Sequence, residues 1–406
     1  MFIFSFLKYR ALSKNPQKLK VLILSSWYPS RVHPTLGNFN EKFSQAIALY
    51  NDVFAVYVAA DSDMQKEKEL VFSEINGVPT LNIYFKKSKN ENSLQKLLKA
   101  YKFLKYYLIA FKIAQEKLGK IDLIHLNILY PVGIIAFLLK KLYKAPYIIT
   151  ENWTGYLPSH RVYQGKLIEF LSRKVAKNAA CLCPVTENLA SNMQKLGFNN
   201  QYEIVPNVTD VKHFYPLPNK LKKDKKIILH VSTLDDAHKN ISGILRVSKQ
   251  LKKSHTDVEW HIVGDGDAQP HINYAKELGL SENDIRFFGE MTPTEVAEKM
   301  RQSDMFVLFS NYENLPCVMV EAFASGIPVV SSSAGGVAEH LSLDKGIVIA
   351  PKDEKALLNA CKKVLDNLSN YDAENLHQYA IQNFSYQSVG KRFTDIYNNV
   401  TRPIIK

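Results

Sequence analysis

The stretch VLFSNYENLPCVMVEAFASGIPVVSSSAGGVAEH, residues 307–340, decides how the rest of the chain is read. Asp304 to Phe309 is a short, mostly apolar run that stops at Ser310-Asn311, the pattern of a buried strand ending in a turn. Pro316 suits the first turn of a helix, Gly326 its C-terminal cap, and Pro328 blocks continuation. A second apolar run from Ile327 to Val330 opens another strand. Strand, helix, strand is the unit of a parallel sheet, and such sheets place ligands at the carboxyl ends of their strands. Glu313 falls in the loop after the first strand and Glu321 inside the helix. The helix start around Asn314, Leu315, Pro316, Cys317 and Val318 offers unpaired N–H groups and a positive dipole end, which suits a phosphate. A carboxylate accepts two hydroxyl hydrogen bonds, which suits a sugar or a ribose. Glu321 alone reads as a solvated helix carboxylate; the combined string reads as a site.

The string from Glu313 through Glu321 to Pro328 resembles the Glu-x7-Glu motif of retaining glycosyltransferases of family 4, and Gly335-Gly336 with Glu339 is similar to that family's next loop. The resemblance extends from Leu19 to about Val400. It implies an α/β chain of the GT-B fold, in which two Rossmann-like domains face each other across a cleft and a C-terminal helix crosses back to the first domain. It also implies transfer of a sugar, with retention, from a nucleotide diphosphate sugar to a glycan, glycolipid or lipid-linked acceptor, with no metal or other cofactor.

Residue by residue, the resemblance places Glu313 on the donor sugar and Glu321 on the ribose. Gly37, in a string running from Trp27-Tyr28-Pro29, matches a glycine that faces the donor diphosphate. The loops at Gly264 and Gly266 flank the nucleotide, with the backbone of Glu290 and Met291 near the base. Lys239 matches a phosphate-binding lysine. Two positions depart from the pattern. Thr233 stands where the family usually has an arginine, leaving His238 or another basic group to replace that charge. Asn152 stands where a histidine commonly touches the donor sugar, and asparagine can hydrogen-bond a hydroxyl but carries no proton at neutral pH. These departures keep open a catalytically weak or inactive donor-binding or scaffold subunit; a GT-B nucleotide-sugar epimerase is a further alternative.

The order of the chain agrees. Lys20 to Ser25 reads as a buried strand, Asn38 begins an amphipathic helix, and Gly37 stands between them. Strands follow at Ile121 to Leu126 and Pro146 to Thr150, with a helix from Val132 to Leu142 between them. His125 reads as structural. The proline- and lysine-rich residues 206–226 read as a linker, which divides the chain into a tail (1–17), a first domain (18–212), a donor domain (213–383) and a returning helix (384–406). In the second half, Ile227 to Val231, Trp260 to Val263 and Ile285 to Phe287 read as strands. Lys239 reads as the start of the helix carrying Ile244 to Leu251, and Leu357 to Leu368 and Tyr379 to Val400 read as single helices.

At 406 residues, 46% hydrophobic and 22% charged, the chain is long enough for two cored domains and unlike a disordered segment. The four cysteines form no CxxC or zinc pattern, which points to free thiols in a reducing, cytoplasmic compartment. The sequon at Asn207 reads as a chance match. Asp61-Ser62-Asp63 and Asp265-Gly266-Asp267 are weak metal candidates, since paired carboxylates are common by chance. The apolar Met1 to Leu7 is too short to be a signal peptide or to span a bilayer and reads as a loose tail.

The formal net charge of +13 is unevenly spread. Residues 1–212 hold 29 Lys and Arg against 15 Asp and Glu, and residues 213–406 hold 23 against 24. Much of the excess lies on Lys86 to Lys120, which reads as one long basic helix with Leu97, Tyr101, Leu104, Leu108 and Phe111 on a stripe. That helix reads equally as core-packed with a solvated basic face, or as attached to an anionic membrane surface at the inner face of the cell membrane. Nucleic acid is disfavoured because no nucleic-acid module accompanies the charge.

Overall fold

Lys20–Ser25 forms β1, with five of its six residues buried, because a central parallel strand is covered on both faces. The computed structural model describes residues 18–87, 92–160, 163, 165–218 and 224–401. The apolar tail, residues 219–223 of the linker and the chain end past 401 lie outside them. After β1 come α1 (Asn38–Ala48), β2 (Asp52–Asp61), β3 (Lys68–Ile75), β4 (Val78–Lys86), α2 (Ser93–Leu118) and β5 (Leu123–Asn127). Then follow α3 (Gly133–Tyr143), β6 (Tyr147–Glu151), α4 (Lys166–Asn178), β7 (Cys181–Pro184) and α5 (Glu187–Lys195). The seven strands run in the order β3-β4-β2-β1-β5-β6-β7, parallel except for the β3–β4 hairpin, which turns at Asn76-Gly77. That dipeptide between two β-rich runs is a strong hairpin signal. Right-handed crossovers put α2, α3 and α4 on one face of the sheet and α1 on the other.

The second unit holds β8 (Lys226–Val231), α6 (Asp236–Lys239), α7 (Ile241–Leu251), β9 (Val258–Val263), α8 (Gln269–Glu277), β10 (Ile285–Phe287) and α9 (Pro293–Gln302). It continues with β11 (Met305–Leu308), α10 (Cys317–Ala324), β12 (Val329–Ser332), β13 (Gly346–Ile349), α11 (Glu354–Asp366), α12 (Ala373–Phe384) and α13 (Tyr386–Thr401). Its six parallel strands run β10-β9-β8-β11-β12-β13. The β11–α10–β12 crossover is the unit read from the 307–340 stretch.

Three expectations change. The basic helix starts at Ser93, because Lys86 ends β4 and the Asn92 side chain caps Gln95 N. Its expected stripe does not stay on the core: Phe111 is buried, Leu104 and Leu108 are half-buried, and Leu97 and Tyr101 are exposed. The 4-3-4-3 spacing drifts only about 20° per heptad; the stripe is lost because the first turns stand clear of the sheet, with every residue from Ser93 to Tyr101 except Gln95 exposed. The final helix is two helices, because Ser385 is extended and its Oγ accepts from Ser388 N at 3.1 Å, starting α13 afresh. Lys239 ends the short α6, and Asn240 caps α7 in its place.

The helix α13 returns to the first unit. Phe393 meets Phe43 of α1 edge-on at 5.5 Å, and Asn51 Nδ2 donates to Thr394 Oγ1 at 2.8 Å. Tyr397 Oη lies 2.5 Å from His125 Nδ1, while His125 Nε2 meets Thr150 Oγ1 at 2.7 Å. Burial pushes the His125 pKa down to about 3, so this imidazole is neutral and ties β5 to the closing helix.

Candidate functional site

The loop after β11 is pinned before it reaches Glu313. Asn311 N donates to the His238 carbonyl and Asn311 Nδ2 to the Ala237 carbonyl, while Ser332 Oγ of β12 donates to the Ser310 carbonyl. Gly335 closes against the same loop: its φ is +62°, and a Cβ there would lie 2.0 Å from the Glu313 carbonyl oxygen. Only glycine permits both the conformation and the approach.

Glu313 is 7% exposed, and its Oε1 accepts from Lys239 Nζ at 2.5 Å. His238 Nε2 lies 3.9 Å from the same oxygen and 2.8 Å from the Tyr312 carbonyl. Burial, and next the Lys239 charge, lower the His238 pKa, so the ring is neutral at neutral pH. Tyr312 is stacked between His238 at 4.0 Å and His160, from the first unit, at 4.5 Å.

Glu321, on α10, is also buried, and its Oε1 accepts from Lys42 Nζ of α1 at 3.3 Å. Burial is the largest influence and opposes the Lys42 charge, yet the surrounding groups, Glu321 first and then Cys317 and Tyr386, together hold the ammonium well above the ordinary lysine range. Lys42, Glu321, Met291, Val318 and Tyr386 line a cavity of about 630 Å³ between the two units. The motif thus sets two carboxylates at the cleft, each with one lysine. Gly37 explains the reach of Lys42: at φ +76° it turns β1 into α1, and a Cβ would lie 2.4 Å from the Trp27 carbonyl oxygen.

An amide chain joins the units beside Glu313. Asn314 Nδ2 donates to Asn152 Oδ1 at 3.3 Å, Asn152 Nδ2 to Asn207 Oδ1 at 2.9 Å, and Asn207 Nδ2 to the Leu315 carbonyl at 2.8 Å. Thr186 Oγ1 donates to Asn314 Oδ1 at 2.9 Å, and both Glu339 oxygens accept from the first amides of α5. Asn207 is 2% exposed, so its sequon is not a surface acceptor. Asn152 therefore sits where the two halves meet, neighbouring Glu313 through Asn314.

Not every expected residue converges. Gly264 is buried, its N–H bonded to the Gly289 carbonyl. Thr233, Gly266 and Glu290 are exposed on the rim. Pro316 is the N-cap of α10 rather than its first residue, and burial raises the thiol of Cys317 to about 11. In the two acidic triplets Asp61 takes Arg31 Nε and Asp63 N, Asp63 takes Ser62 Oγ, and Asp267 takes Gln269 N.

Sequence reasoning missed Lys42, Tyr312, His160 and Glu151. Glu151 is fully buried at the end of β6. Its Oε2 accepts from Leu129 N at 3.0 Å and its Oε1 from the amides of Asn152 and Trp153, each at 3.0 Å. It fixes the loop that carries Asn152. Burial outweighs those hydrogen bonds and pushes its pKa from 4.5 up to about 7. A raised carboxyl pKa contributes stability that is full below about 4.5 and lost as pH rises through about 7, on the order of 3 kcal/mol across the window. The histidines at His125, His230 and His340 have the opposite slope, so wild type alone does not isolate the effect. Glu151→Gln does: its urea midpoint relative to wild type should rise between about pH 5 and about pH 8. A pH-independent difference would remove the assignment.

Two facing Rossmann-like sheets, a returning C-terminal helix and paired glutamates at the cleft define the GT-B class of glycosyltransferase. A family model described as glycosyl transferases group 1 matches residues 211–383, and one described as glycosyltransferase family 4 matches residues 46–213. The chain belongs to this glycosyltransferase family. It is similar to protein CapJ of Staphylococcus aureus, 26% identical over 78% of this chain and 85% of CapJ. TuaC of Bacillus subtilis, named for teichuronic acid biosynthesis, is 22% identical over 92% of this chain and 95% of its own length. Among solved structures, HepE of Anabaena in complex with UDP superposes with a TM-score of 0.72 at 18% identity, covering 94% of this chain and 100% of that one. The sucrose-phosphate synthase of Thermosynechococcus elongatus gives a TM-score of 0.73, also at 18% identity, over 94% and 99% of the two chains.

Proposed function

We propose that this chain transfers a sugar, with retention and without a metal, from a nucleotide diphosphate sugar to an acceptor in surface polysaccharide or glycolipid biosynthesis, on the cytoplasmic side of the membrane. The observation that carries the reading is the pair Glu313 and Glu321, both buried at the cleft and both held by lysine. Complexes of HepE with UDP and with UDP-glucose, and the naming of TuaC, support the donor class and the pathway type.

In this reading Glu313 accepts hydroxyls of the donor sugar and Glu321 those of the ribose. Lys239 and the first amides of α10 balance the charge that develops on the leaving diphosphate, the largest electrostatic demand of the reaction. His238 stands beside Lys239 where Thr233 supplies no charge. The incoming phosphates would favour its protonation, against the burial that now holds it neutral. Asn152 offers a hydrogen bond without a proton, and the acceptor proton passes to an oxygen of the departing diphosphate. Closure of the cleft excludes water and aligns the acceptor.

Proton NMR of the sugar released or transferred from candidate nucleotide sugars tests this. The first-formed anomer should keep the donor configuration, and EDTA should leave the rate unchanged. An inverted product, or a rate abolished by EDTA, contradicts the proposal. Isomerised nucleotide sugar without any acceptor would establish the epimerase alternative instead.

A further inference from the structure

The 26 residues of α2 span about 39 Å, against about 33 Å for the ten residues of β2, the strand it packs on most. Its buried residues begin only at Tyr106, and from Ser93 to Tyr101 every residue but Gln95 is exposed, so the first turns form an overhang clear of the sheet on the side of the cleft. On this overhang Leu94, Leu97, Leu98 and Tyr101 are 65%, 68%, 49% and 60% exposed. They recur at i, i+3, i+4 and i+7, one continuous stripe. At 100° per residue the stripe lies about 160° round the axis from Tyr106, Tyr107, Ala110, Phe111 and Ala114, which face the sheet. Lys105 and Lys112, both exposed, continue it outward; Lys102, at its flank, is paired with Glu67.

The helix α4 repeats the arrangement. Its first turn exposes Leu167 (70%) and Phe170 (61%), its buried residues Ser172, Val175 and Ala176 lie on the opposite side, and exposed Lys174 continues the outward face. Both helices lie on the same face of the sheet and begin at its cleft end. Leucines, an aromatic and lysines arranged this way on two parallel helices match the chemistry of the headgroup boundary of an anionic bilayer, where apolar side chains enter the acyl edge and lysines meet lipid charge. Among the described residues no helix is long and apolar enough to cross a membrane.

We infer that the outward first turns of α2 and α4 together dock on an anionic lipid surface. The cleft would then open along the bilayer, a geometry for a lipid-carried acceptor; that consequence rests on the transferase reading above.

Co-sedimentation of the full chain with phosphatidylglycerol-containing vesicles tests the inference. Binding is expected, weakened by salt and absent with pure phosphatidylcholine. Leu94→Ser with Leu97→Ser, and separately Leu167→Ser with Phe170→Ser, should each reduce it about tenfold or more. These side chains are outside the core, so the variants should keep the wild-type melting temperature. Unchanged binding in both variants, equal binding to neutral vesicles, or a dimer in sedimentation velocity that the same substitutions abolish would overturn it. Donor-induced thermal shifts read the cleft separately: their absence with vesicle binding intact would fail the transferase reading and leave the surface standing.

Discussion

Lys239→Ala is expected to lower kcat by about two to three orders of magnitude, with a smaller change in KM for the donor. Lys239 Nζ is bonded to Glu313 and is only 12% exposed, so it is held where a diphosphate oxygen can exchange with the carboxylate. Its charge matters most when the bond to the sugar is breaking, because negative charge then accumulates on the leaving group. The substitution also leaves Glu313 buried without its cation, which misplaces the carboxylate. Steady-state kinetics with Lys239→Arg as a second variant separates the two causes. Arginine keeps the charge but not the single-point geometry, so partial rescue is expected. Equal activity of wild type and Lys239→Ala would remove Lys239 from the reaction.

Glu321→Ala should act differently, raising the donor dissociation constant on the order of 100-fold while the protein stays folded. Two hydroxyl hydrogen bonds to a buried carboxylate contribute together about 3 kcal/mol or more. The ribose is remote from the bond being broken, so the loss should fall on binding more than on kcat. Lys42 bridges to Glu321 from the other unit, so a ribose at Glu321 must share that ammonium or move it. The bridge lies at the wall of the cavity between the two units.

The 307–340 stretch was legible because each of its parts has a local cause: a buried strand, a proline-capped helix start, a glycine stop, and one carboxylate after the strand with another inside the helix. Much of the remaining architecture followed from apolar runs that parallel strands bury on both faces. The β3–β4 hairpin went unread although Asn76-Gly77 marks it, because the alternating burial of β3 is a weaker signal than a continuous apolar run. The split between α12 and α13 was hidden for another reason: Ser385 is a tolerable helix residue, and nothing beside it in the sequence distinguishes its capping bond to Ser388 N from an ordinary helix position. The second partner of each glutamate shows the same limit. Lys239 was found because it lies in a loop with a recognisable pattern. Lys42 was not, since its contact spans 279 residues of sequence and looks locally like one more lysine on a helix surface. Glu151 was missed because a carboxylate at a strand end reads as solvated until the loops after β5 and β6 close over it.

The central claim is that Glu313, Glu321 and Lys239 form a donor site for a nucleotide diphosphate sugar. A thermal-shift panel of nucleoside diphosphates and their sugars, with and without EDTA, on wild type and Glu321→Ala, tests it most directly. The account predicts stabilisation of wild type by one base family, unchanged by EDTA and lost in Glu321→Ala. No shift with any nucleotide, or an equal shift in both proteins, would contradict it.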